Sequence, residues 1–86
     1  MEDLAEAIRQ LEVGQFLLSM VSTLASLAFG KLEQGELGQA KAAIDGIAAL
    51  LPVMKGQVDD DLLGDLERAL ANLQFAYADA SSAADD

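Results

Sequence analysis

Between Glu12 and Lys31 the chain carries no charge, although fifteen of its 86 residues are acidic and five are basic. A stretch this apolar can cross a bilayer, fill the middle of a small domain, or face a second copy of the chain. A membrane-spanning helix needs roughly 20 mostly apolar residues, with ~17 as a lower end, so length does not exclude a span. Composition argues against one, because Gln15, Ser19, Ser22, Thr23 and Ser26 dilute the stretch. Membrane helices also use serine and threonine to pack, so that argument is a weight and not a proof. Arg9 and Lys31 put one positive charge at each end and set no orientation. A span is therefore disfavoured, and membrane attachment through this segment stays an alternative.

The distribution of the polar residues says more. At about 100° per residue, Ser19, Ser22, Thr23 and Ser26 share one sector of a helix. Phe16, Leu17, Leu18, Met20, Val21, Leu24, Leu27 and Phe29 take the rest. A helix covered on one face by two others needs an apolar stripe over only about a third of its surface. The excess implies a contact beyond the single chain, expected to involve Phe16, Leu17, Met20, Val21, Leu24, Leu27 and Ala28. Two-fold homodimers are the commonest soluble oligomers, so a homodimer is the expected state. The serine sector is either the contact itself, where small residues let backbones approach, or the solvent face.

Three helices are expected, over about 3–29, 37–55 and 60–80, in one domain of residues 1–80 with a flexible acidic tail, 81–86. The first carries Leu4, Ile8, Leu11, Leu18, Ala25 and Phe29 at helical spacing, with Glu2, Asp3 and Glu6 at its dipole-positive end. Gly14 inside it is a bend, a close approach or a tolerated glycine, and Gly30 is a natural C-cap. The second carries Leu37, Ala40, Ile44, Ile47 and Leu51. Pro52 either stops this helix or kinks it, and Gly56 is the better terminator. Asp59 can cap the third helix, with Asp60 and Asp61 in its first turn. Leu62, Leu66, Ala69, Leu73, Ala76 and Ala80 form its stripe.

Composition removes several chemistries. There is no cysteine or histidine, hence no thiolate or imidazole centre, and any metal would be a hard cation held by oxygen. The formal charge of -10 repels nucleic acid and anionic membrane surfaces at long range. No cofactor is expected. The opening MEDLAEAIRQ is acidic where a secretory leader would be basic, so it reads as a helix start, and the cytoplasm is the expected location.

The polar candidates are few. Asp59, Asp60, Asp61 and Asp65 are the densest acidic cluster, and Asp61 and Asp65 share a helix face. Calcium-loop spacing is absent, so capping and solvation explain them best and no metal site is expected. Lys41 and Asp45 stand four apart and would do acid–base work only if buried or beside a substrate. Lys31, Lys55 and Gly56 lie near helix ends, where a small anion corner could form. Tyr77 sits on the apolar flank, as a core or interface ring.

The order of these signals resembles the bacterial domain-of-unknown-function family 1844. The run is a serine-rich apolar helix from Phe16, then LGQAKAAIDGIAALL, then KGQVDDDLLGDLERAL and a tyrosine near the end. Ala40–Lys41 and Ile44–Asp45 match the family's alanine–lysine and isoleucine–aspartate pairs. Lys55 to Asp59 match its K-G-N-L-T run, with Asp60 and Asp61 in place of its glutamates. Glu36 and Pro52 depart from it. The resemblance spans about 16–77 and implies a fold without implying an activity. The expected protein is an all-α three-helix hairpin assembly that pairs into a dimeric helical bundle. Its expected role is self-association and protein interaction. A ligand, divalent-cation or enzymatic site between helices is the alternative.

Overall fold

The computed structural model describes residues 2–10 and 12–85, with side chains over 4–10 and 12–83. Leu11 of the expected stripe and the terminal Asp86 lie outside the described residues. The fold is all-α, with α1 (Glu2–Arg9), α2 (Val13–Glu33), α3 (Leu37–Met54) and α4 (Asp60–Asp85). Among the described residues the only β-type pairing is an isolated bridge between Lys55 and Val58.

The expected first helix, 3–29, divides in two. The amide of Gln10 donates to the carbonyls of Glu6 and Ala7 and closes α1. Glu12 is extended, at φ -81° and ψ 127°, and caps α2 with no side-chain bond. Gly14 explains the position of the break. A Cβ there would collide with the carbonyl oxygen of Gln57 and come within 3.4 Å of Val58 Cγ1. The start of α2 is thus pressed against the turn that follows α3, and anything before it overshoots the end of α3. Among the described residues α1 accordingly packs on none of the other helices.

Nor does the helix stop at Gly30. It runs one turn further, which brings Leu32 against the core. The stop is a Schellman motif around Gly35, at φ 75°: Glu36 N–H donates to Lys31 O at 2.9 Å and Gly35 N–H to Leu32 O at 3.1 Å. Glu36 caps α3 through its backbone, without a side-chain bond. Pro52 lies inside α3, two residues before the end, so the donor it lacks weakens only the last turn. Lys55 (φ -60°, ψ 125°) and Gly56 (φ 85°) then form a type II turn, closed by Gln57 N–H on Met54 O at 2.8 Å. Helix α4 runs past the expected end at residue 80, to Asp85.

Helix α2 lies along α3, and α4 packs on both. The core joins Val21 and Ala28 of α2, Ala43, Ile44, Ile47, Leu51 and Met54 of α3, and Leu63 and Leu73 of α4. Leu24 Cδ1 stands 3.3 Å from where a Cβ of Gly46 would be. Together with the Gly14–Gln57 approach, this runs α2 and α3 in opposite directions. It also sets their register: Met20 is level with Leu50 and Leu51, and Leu27 with Ala43 and Ile44.

This core does not use all the oil available. The accessible surface is 5993 Å² for a 9.0 kDa chain, against about 4,900 Å² for a folded monomer of that mass. The radius of gyration is 15.3 Å, against about 12 Å for a compact chain of this length. Phe16, Leu27, Phe29 and Val53 are each about half exposed, and Phe75 more so.

Gly14→Ala should destabilise the fold by about 1–3 kcal/mol through overpacking, although alanine is the better helix former. Leu73→Ala, a fully buried site, should cost about 2–5 kcal/mol. Thermal melts at one protein concentration check both, at about 4–8 °C per kcal/mol. A Gly14→Ala variant as stable as the parent would contradict the close approach.

Candidate interaction surface

Helix α2 has two unlike long faces. Gly14, Val21 and Ala28 are buried, with Leu17, Leu18, Leu24 and Ala25 half-buried beside them. Ser19, Ser22, Thr23 and Ser26 are all exposed, so within one chain the serine sector is a solvent face. Between the serines and α3 runs a stripe of exposed apolar residues, Phe16, Met20 and Leu27. An open groove beside it is lined by Phe16, Ser19, Met20, Thr23 and Leu24.

The seven residues expected at the contact therefore separate. Val21 and Ala28, at 2% and 0% exposure, are core of the single chain and leave the candidate surface. They fall on the side of α2 that meets Ile47 and Leu73. Leu17 and Leu24 sit at the seam with α3. Phe16, Met20 and Leu27 stay outward.

One part of this surface was missed in the sequence. Ala42, Ala49 and Val53 are exposed on α3, with Gly46 half-buried among them. Positions spaced by four, three and four fall within about 60° of a helix's circumference. They border the α2 stripe at the Leu24–Gly46 contact, on the side away from α4. The signal was present as the A-x-x-x-G-x-x-A-x-x-x-V spacing, but alanine and glycine score as filler beside Ile44 and Ile47.

The polar candidates do not converge. Lys41 Nζ donates to Asp45 Oδ2 at 2.8 Å, and both side chains are exposed. The bond and charge of Asp45 hold the Lys41 ammonium above its ordinary value of 10.5, with a small assist from Tyr77. Asp61 is exposed in the first turn of α4, and Asp65 accepts from Arg68 instead of facing it. Among the described residues no three carboxylates gather in a metal-binding group. Lys31 Nζ reaches Glu36 at 3.5 Å, so the envisaged anion corner is filled by the protein's own carboxylate. Tyr77 is half-buried against the core.

A cleft where the three helices meet is lined by Val21, Ser22, Ala25, Ile47, Leu66 and neighbouring apolar residues of α4. No ionisable group lines it, so it supplies no acid or base and nothing to activate the Ser22 hydroxyl. What the arrangement can do is bury apolar surface. Comparison with protein-family models, curated proteins and solved structures yields no match to this chain.

The raised Lys41 value has a signed consequence. Folding favours the protonated amine, so the pair's contribution is complete below the ordinary lysine value and is lost as pH rises through the folded one. A side-chain amine titration by NMR should place Lys41 above 10.5. Asp45→Asn should bring it back; an unchanged midpoint in that variant would refute the pairing.

Proposed function

We propose that this chain is a protein-interaction module, an all-helical hairpin assembly that acts by self-association into a homodimer in the cytoplasm. The observation that carries the reading is the exposed stripe Phe16, Met20 and Leu27 on a helix whose opposite side is core. Exposed apolar area beyond a few hundred Å² on a soluble chain favours association, and burial returns about 25 cal/mol per Å² before the entropy of pairing is subtracted. The charge of -10 then acts at long range, keeping the module off nucleic acid and other acidic surfaces. The resemblance to family 1844 is in keeping with this role and adds no activity to it.

A membrane is the competing destination. Helices α2 and α3 are each long and apolar enough to cross a bilayer by length and composition. Both also build the core with α4, and insertion would strip Val21 and Ile47 from Leu73. A protein partner leaves that core intact.

Sedimentation equilibrium should give twice the 9.0 kDa chain mass, about 18 kDa, at micromolar concentration. Met20→Glu and Leu27→Glu should shift the dimer to monomer by tenfold or more in Kd, with helicity unchanged. A wild-type chain that stays monomeric through millimolar concentration, or that floats with lipid vesicles, would overturn the reading.

A further inference from the structure

We infer that the cleft where α2, α3 and α4 meet is a binding site for a small, uncharged, largely apolar molecule of about ten non-hydrogen atoms. The site is separate from the self-association surface proposed above and does not rest on it. Ala25, which lines the cleft, stands nine residues on from Phe16. That is about two and a half turns, which puts it on the opposite side of α2.

The cleft exists because short side chains line the seam of α2 and α4. Its floor is core, with Val21 and Ile47 at 2% exposure and Leu73 at 0%. Its walls include Ala25 of α2 and Ala69 of α4, neither long enough to close the gap above that floor. The space measures about 250 Å³ and opens to solvent on one side. An apolar cavity of about 150 Å³ holds one benzene. This one therefore has room for a bicyclic ring or a short alkyl chain, and none for a peptide helix, which is about 10 Å across.

Water fills such a space poorly. A water molecule held in a cavity needs about two to four polar partners, and the only polar side chain in the lining is the Ser22 hydroxyl, at the exposed rim. Displacing loosely held water by apolar atoms favours binding. The lining also fixes the charge of the guest. None of the residues lining the cleft is ionisable, so an ion would lose its hydration there without a counter-charge. An anion would meet, in addition, the field of a chain of charge -10. What fits is a neutral molecule with at most one hydrogen-bonding group, turned toward Ser22.

Indole is the probe: bicyclic, neutral, and with one N–H to donate to Ser22 Oγ. Titrated into the full chain at fixed protein concentration and followed by methyl NMR, it should give saturable shifts at Val21, Ile47 and Leu73. The expected Kd is below about 1 mM. Indole-3-acetate, the same ring carrying a carboxylate, should bind at least tenfold more weakly. Ala69→Leu, at an exposed rim position, should fill the gap and weaken indole binding at least tenfold, with helicity by circular dichroism intact. Ala25→Leu tests the same point from the other wall if the first variant fails to fold. Shifts confined to Met20 and Leu27 on the outer stripe, or no saturation through millimolar concentration, would overturn the assignment. So would indole binding unchanged in a folded leucine variant, or equal affinity for the two ligands.

Discussion

Small side chains along one seam decide how near α2 and α3 can lie, and the rest of the fold follows from that distance. Gly46 admits the Leu24 methyl, Ala28 and Ala43 are both buried on the facing sides, and Gly14 lets the α3–α4 turn touch the start of α2. Two helices held this closely form a thin layer with two broad faces. One chain has a single further long helix, α4, to cover one of them. The other face stays in water unless something outside the chain covers it. An 86-residue chain has few alternatives, because small domains bury a limited share of their surface whatever their topology.

The same seam accounts for the division at the N-terminus. Once Gly14 is docked on Gln57, α3 has ended, and among the described residues α1 has no other helix opposite it. The charge pattern agrees with this geometry. Carboxylates gather at the first turns of α1 and α4, where helix dipoles and water stabilise them, and the two within α2 and α3, Glu33 and Asp45, are exposed.

Much of this was legible in the residues. Periodic Ile44, Ile47 and Leu51, and Leu66, Leu70 and Leu73, announce helices, and the core falls where those rows meet. The all-α class followed from such rows alone. Helix ends were harder. Gly30 and Gly35 are equally plausible stops by composition, and the choice depended on whether Leu32 had a core to reach, a tertiary fact. The break at Glu12 was hidden for the same reason, since it reflects where α3 ends and not any local breaker. At the candidate surface, excess apolar width on α2 was visible. Which of its residues turn inward was not: Val21 and Leu24 are alike by periodicity, and only the placement of α3 and α4 buries the first and leaves the second at the seam. The small-residue row on α3 was readable as spacing but has meaning only beside a bulky neighbour.

The account therefore depends on one face being wet in a lone chain and dry in a pair. Oxidative footprinting across a dilution series reads this directly, because the chain supplies its own control: Met54 is fully buried within one chain and Met20 is 39% exposed. The account predicts that Met20 is oxidised readily at high dilution and becomes protected as concentration rises through the dimer's midpoint, while Met54 is protected throughout. Met20 reacting at the same rate at every concentration would contradict it.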